Sequence, residues 1–179
     1  MKNNLKLSVF IALFAALISV GSYIAINIGP LNIVLANFFV FLAAMILGFP
    51  WAAASVSLFL LIGLLGLPVF TNGGSGIAQF AGPSGGFLIG YLAASLIIPL
   101  IASKSPRKYV RNIIAVTAGI LIIFVFGIPW FKYKMEFTWT KTFLTAFLPF
   151  LPLDILKGTA AVFLAGNISV DLGSGNARA

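Results

Sequence analysis

Apolar residues run through this chain in blocks too long for the core of a water-soluble protein. They cover residues 7–28, 32–49, 51–67, 86–102, 112–130 and a last stretch within 144–166. About 20 mostly apolar residues cross the hydrocarbon core of a bilayer as a helix, so the pattern predicts six transmembrane helices. Residues that stop helices close the early blocks: Asn27, Gly29 and Pro30 after the first, Gly48 and Pro50 after the second, Gly66 and Pro68 after the third. No linker rich in charge, Pro or Ser divides the chain. Residues 1–179 therefore read as a single all-α integral-membrane domain.

The longest interruption lies between the third and fourth predicted helices. Residues 71–86 read TNGGSGIAQFAGPSGG, with six glycines in sixteen positions. A connector needs only a few residues. The stretch is either a permissive linker or a binding element whose backbone N–H groups approach a ligand closely because no Cβ stands in the way.

Composition settles the solvent. The chain is 61% hydrophobic and 8% charged, against roughly 25% charged in soluble domains. Too little polar surface exists to cover a water-exposed globule. The net charge of +8 comes from eleven Lys and Arg against three acids. These bases cluster in short segments between apolar blocks, which speaks for membrane topology and against nucleic-acid binding. Lys2 and Lys6 precede the first helix, Lys104, Arg107, Lys108 and Arg111 fill one loop, and Arg178 follows the last helix. With six spans all of these fall on one side. The positive-inside rule makes that side cytoplasmic, together with both termini, and puts the glycine-rich loop outside. Lys132, Lys134 and Lys141 fall on the opposite side and dilute the asymmetry, while Trp130, Tyr133 and Trp139 read as interfacial aromatics. The N-terminus starts like a signal peptide. Its apolar run exceeds the ~7–15 residues of such a segment and lacks a small-x-small cleavage site, so it reads as a retained span.

The same inventory removes whole classes of chemistry. There is no Cys and no His, hence no disulfide, thiolate nucleophile, imidazole metal site or Ser–His pair. No GxxxxGK[ST] phosphate loop occurs, so ATP hydrolysis by that route is excluded. Glu136 and Asp171, two of the three acids, lie outside the clear spans, which leaves little basis for a catalytic carboxylate pair or an acid-rich metal site. The chain reads as a non-enzyme without cofactor.

The third acid is the anomaly. Asp154 and Lys157 stand three residues apart in an apolar block and share a helical face. Each charge at a bilayer centre costs at least ~2.5–3.5 kcal/mol. A mutual ion pair explains how they are tolerated, not why they are present, so the pair is expected to face a cavity. Pro149 and Pro152 precede it. A helix starting near Pro152 puts Asp154 in its first turn, where the helix dipole favours a carboxylate, on the side of the glycine-rich loop. Asn27, Asn32, Asn37, Asn72, Gln79, Ser84 and Tyr91 are further polar candidates. An amide that donates and accepts suits an amide-like or urea-like ligand. Phe70, Phe80, Phe87 and Tyr91 are placed to wall a small-molecule pocket. Ala12 and Ala16, with Ala15 beside them, form a small-xxx-small pattern that permits close helix contact. Internal packing and contact with a partner both fit that pattern.

Two of these stretches together carry a resemblance. GLPVFTNGGSGIAQFAGPSGGFLIGY (66–91) and FLPFLPLDILKG (147–158) resemble the signature loop and last-helix motif of the BioY family, the biotin-specific substrate-binding subunits of energy-coupling-factor transporters. The likeness extends over essentially the whole chain. It departs at Ser84, where the family usually has Thr, and the hydroxyl is kept. The resemblance implies a high-affinity biotin receptor near the outer membrane surface, joined to a transmembrane scaffold subunit and two cytoplasmic ATPases that drive uptake. Asp154 and Lys157 are then binding residues, and Tyr91, Gln79, Asn72, Ser84, Phe70, Gly82 and Gly85 are expected around the substrate. Ala12 and Ala16 are the implied docking face for the scaffold. Asp154 would accept from a ureido N–H and Lys157 donate to the ureido carbonyl, or Lys157 would take the ligand carboxylate; both poses stay open. A subunit for another vitamin, such as thiamine or riboflavin, and a structural subunit that binds no solute are the alternatives. Transport is expected to proceed by tilting of the loaded subunit, which the scaffold releases after ATP binding.

Overall fold

The apolar blocks do form helices, but with ends that differ from those the blocks suggest. The computed structural model describes residues 2–103 and 108–168; Lys104, Arg107, Asp171 and Arg178 lie outside the described residues. Helix α1 spans Lys2–Tyr23, α2 Ala36–Leu47, α3 Trp51–Leu64, α4 Gly76–Ala81, α5 Gly85–Ile101, α6 Tyr109–Met135, α7 Trp139–Ala146 and α8 Leu151–Asn167. An antiparallel hairpin of β1 (Ala25–Ile28) and β2 (Leu31–Val34) follows α1.

The fold is all-α apart from this one short hairpin, which moves the end of the first predicted helix and the start of the second. The first block does not stay helical to residue 28. After Tyr23 the period changes from 3.6 to 2, and AINI pairs with LNIV in the register Asn27↔Asn32. Leu31 and Ile33 point into the core while Asn32 and Val34 are only half-buried. Gly29 takes φ +66° at the first position of the two-residue turn, with Pro30 second, the pattern of a type II′ hairpin. The second helix accordingly begins at Ala36 rather than residue 32. Both strands are apolar enough to merge with their neighbouring helices when hydropathy alone is read.

Three further boundaries move. The glycine-rich stretch is not a plain loop, because it holds a 3-10 turn at Thr71–Gly73 and the short helix α4. The fifth predicted helix does not stop at Trp130. It continues through Pro129 to Met135, since one missing N–H is tolerated in an apolar helix held by its neighbours. The segment 132–143, expected as a connector, is the last turn of α6 followed by α7.

Among the described residues two helices are long and apolar enough to cross a membrane, Leu5–Tyr23 and Tyr109–Met135, or three if α7 and α8, bent by 42°, count as one span. Helices α2, α3 and α5 are apolar but shorter. Ten of the twelve residues of α2 are buried, which makes it the central helix. It packs on α1, α5 and α8, while α5 runs along α6. Phe41, Phe59, Phe131, Ile98 and Val162 fill the interior. Val9, Leu61, Leu100, Leu121, Val125 and Phe163 are exposed, the apolar shell of a membrane protein. The close approach of α5 to α6 depends on Gly90, where a Cβ would stand 2.8 Å from the Cα of Ile123. At one end of this pair the Arg111 side chain donates to the Ile101 carbonyl at 2.7 Å, and the Ser103 N–H donates to Asn112 Oδ1 at 2.9 Å.

Candidate functional site

The opposite end of the bundle holds a cavity of about 450 Å³, within the usual range of small-ligand sites. Helices α1, α2, α5, α6 and α8 each contribute residues to it, and α3 contributes none. Ser22 comes from the end of α1, Leu31 and Val34 from β2, and Asn37 from the start of α2. Phe87 and Tyr91 come from the first turns of α5, Phe124 from the later half of α6, and Asp154 and Lys157 from the start of α8. The N-terminus of α1 and the C-terminus of α8 therefore lie at the far end.

At its base three side chains form one polar unit. Asp154 sits in the first turn of α8, just after Pro152, and is 5% exposed. Its Oδ1 accepts from Lys157 Nζ at 2.9 Å and from Asn37 Nδ2 at 2.6 Å. Lys157 also donates to Asn37 Oδ1 at 3.1 Å and to the Val34 carbonyl at 2.9 Å. An ammonium has three protons, and all three are engaged. Paired, hydrogen-bonded charges of this kind are the form in which a buried acid and base are tolerated. The carboxylate's second oxygen, Oδ2, and the buried Tyr91 hydroxyl have no hydrogen-bond partner among the described residues. They are the polar atoms on this wall left for a ligand.

The glycine-rich stretch forms the facing wall. Phe70, Thr71, Asn72, Gly73, Gln79, Gly82 and Ser84 all border the cavity. Asn72 has φ 58°, a left-handed conformation that Asn tolerates better than most residues. Gln79 Nε2 donates to Ser84 Oγ at 3.0 Å, so the hydroxyl at position 84 closes the stretch on itself. The Gly82 carbonyl accepts from Trp130 Nε1 at 2.9 Å, which ties the stretch to α6. Phe70 is wedged edge-on between Phe59 and Phe80.

The structure thus brings Asp154, Lys157, Tyr91, Gln79, Asn72, Ser84, Phe70 and Gly82 to one cavity. Gly85 is not among its lining residues; it is buried where a Cβ would overlap the Phe80 carbonyl, so it serves close packing. Phe80 stands behind Phe70, and Asn27 lies away on β1. Ala12 and Ala16 are exposed on α1, while Ala15 between them is buried. Asn37 is the partner that spacing alone did not join to the pair, because 117 residues separate it from Asp154. Val34, Phe124 and Phe150 were not singled out either. They are apolar residues in apolar segments and carry no signal that could have found them.

A family model described as the BioY family matches residues 1–173. The chain is 37% identical over 155 residues to a probable biotin transporter of Pyrococcus horikoshii, covering 87% of this chain and 91% of that one. It is 34% identical over 153 residues to a biotin transporter of Thermotoga maritima, covering 86% and 89% respectively. Its fold matches the crystal structure of the S component for biotin of an ECF-type ABC transporter with a TM-score of 0.84. That match has 27% identity and covers 92% of this chain and 91% of that one.

Proposed function

The chain belongs to the BioY family, and from that premise we infer that it is the biotin-binding S component of an energy-coupling-factor transporter. It is a transport subunit and not an enzyme. The observation that supports binding most directly is Asp154 Oδ2, without a partner among the described residues, on a cavity that Tyr91 also lines. Biotin's ureido ring offers two N–H donors and one carbonyl acceptor. Asp154 Oδ2 accepts from an N–H, a charge-assisted bond roughly twice as strong as a neutral one, and Tyr91 donates to the carbonyl. Lys157 has its three protons engaged. Its role is to hold Asp154 in place rather than to grip the ring or the ligand carboxylate. Phe70, Phe87, Phe124 and Phe150 receive the thioether ring and the aliphatic tail.

Helices α1, α2, α3, α5, α6 and the bent α7–α8 pair make six passes, with the short ones relieved by local thinning of the bilayer. The cavity end faces outside. The termini, with Lys6, Lys108 and Arg111 on their end of the bundle, face the cytoplasm. The exposed Ala12 and Ala16 dock a transmembrane scaffold subunit, and two cytoplasmic ATPases drive release and uptake.

Equilibrium binding of radiolabelled biotin to the purified chain, with thiamine and riboflavin as competitors, tests this reading. Saturable biotin binding that neither competitor displaces is expected. Preference for another vitamin, or binding of none, overturns it.

A further inference from the structure

Lys132, Lys134 and Lys141 sit at the cavity end, on the last turn of α6 and the first turn of α7, where the asymmetry of basic residues does not call for them. None of them forms an ion pair; among the described residues the one salt bridge is Lys157–Asp154. Each ammonium instead lies over an aromatic ring. Lys132 stands 5.1 Å from the Trp139 centroid, Lys134 5.4 Å from Trp130, and Lys141 3.9 Å from Phe137. Such contacts hold a long side chain in place without cancelling its charge, and Glu136, which borders the same recess as Lys132 and Lys134 without pairing to them, leaves the cluster net positive. Trp130 connects this cluster to the cavity, because its indole donates to Gly82, a lining residue. Lys134 follows Trp130 by about one helical turn. Inside the cavity the cation Lys157 is fully committed, next to a carboxylate. The cavity interior therefore has no spare positive charge among the described residues with which to draw in an anion.

We propose that Lys132, Lys134 and Lys141 form an electrostatic approach path that speeds entry of an anionic solute into the cavity. The inference rests on the function proposed above, since biotin's tail ends in a carboxylate. Charges at the mouth of a low-dielectric cleft raise association rates by roughly 10- to 1000-fold, and the effect fades as the Debye length shrinks, from about 30 Å at 0.01 M salt to about 8 Å at 0.15 M. The lysines act on the rate of arrival and not on the bound complex.

Stopped-flow association of biotin and of biotinamide, whose tail is uncharged, tests this on the purified chain at low and physiological salt. With the unmodified chain, the association rate for biotin should fall several-fold as salt rises while that for biotinamide stays level. The combined variant Lys132→Gln, Lys134→Gln, Lys141→Gln should lower the biotin rate by roughly tenfold at low salt, leave dissociation unchanged and abolish the salt dependence. The combined Lys→Arg variant should restore the rate. The salt comparison needs no variant, so it stands even if the Gln variant fails to fold. Equal salt dependence for both ligands overturns the proposal and leaves the function intact, whereas a chain that binds no biotin at all overturns both.

Discussion

Asn37 Nδ2 lies 2.6 Å from Asp154 Oδ1, and the same Asn37 amide accepts from Lys157 through its oxygen at 3.1 Å. One neutral side chain on the central helix thus binds both members of the buried ion pair on α8. It occupies one oxygen of the carboxylate and leaves the other without a partner among the described residues, in a side chain that lines the cavity. Binding affinity should depend on this arrangement as much as on the charges themselves.

Asp154→Asn and Lys157→Ala are each expected to weaken biotin binding at least tenfold, about 1.4 kcal/mol. Lys157→Ala should also lower stability by about 3–5 kcal/mol, because it strands a buried carboxylate. The double variant Asp154→Asn, Lys157→Met should regain most of that stability and still fail to bind. Thermal unfolding beside equilibrium binding separates the two effects, and recovery of binding in the double variant would remove Asp154 from the ligand's contacts.

Asn37→Ala leaves a donor and an acceptor of the pair without their partner inside the protein. An unsatisfied buried polar group costs about 1–3 kcal/mol, so a loss of affinity of tenfold or more is expected. The more conservative Asn37→Gln should lose affinity too, because the amide would be displaced by one methylene. Isothermal titration of both variants checks this, and wild-type affinity in Asn37→Ala would show that the carboxylate needs no such orientation.

Tyr91→Phe removes one hydroxyl that has no hydrogen-bond partner among the described residues. Because no described residue bonds to it, the unfolding temperature should not drop. Biotin affinity should fall by roughly three- to tenfold, the worth of about one hydrogen bond. A variant with unchanged affinity would mean the hydroxyl does not reach the ligand.

Gly90→Ala would push a methyl group to 2.8 Å from Ile123 Cα and 3.1 Å from its carbonyl oxygen. Neither backbone atom can turn away, so α5 and α6 must separate. Overpacking of this kind costs about 1–3 kcal/mol, and a lower midpoint of thermal unfolding in detergent is the expected readout.

Ala12→Trp and Ala16→Trp fall on an exposed face of α1. Biotin binding by the isolated chain should stay at the wild-type level. Copurification with the scaffold subunit, and uptake in cells, should be lost. Retained copurification would place the docking face elsewhere.

The sequence by itself determined the solvent, the identity of the chemically unusual residues and their relation along a single helix. Long apolar blocks can be stable only in lipid, and an acid and a base three residues apart must share a face of whatever helix contains them. The placement of Asp154 in a first turn followed from Pro152 by the same local logic, and the structure agrees. Tertiary structure decided what hydropathy cannot encode. The hairpin after α1 was hidden because a strand and a helix are equally greasy here, and only the change of period and the Gly29 turn mark it. Asn37 and Val34 became partners of Lys157 through the packing of α2 and β2 against α8, across more than a hundred residues of chain. Which of the pair still has an atom to offer a ligand likewise depends on tertiary packing, which sets three acceptors around Lys157 Nζ and leaves Asp154 Oδ2 without a partner among the described residues.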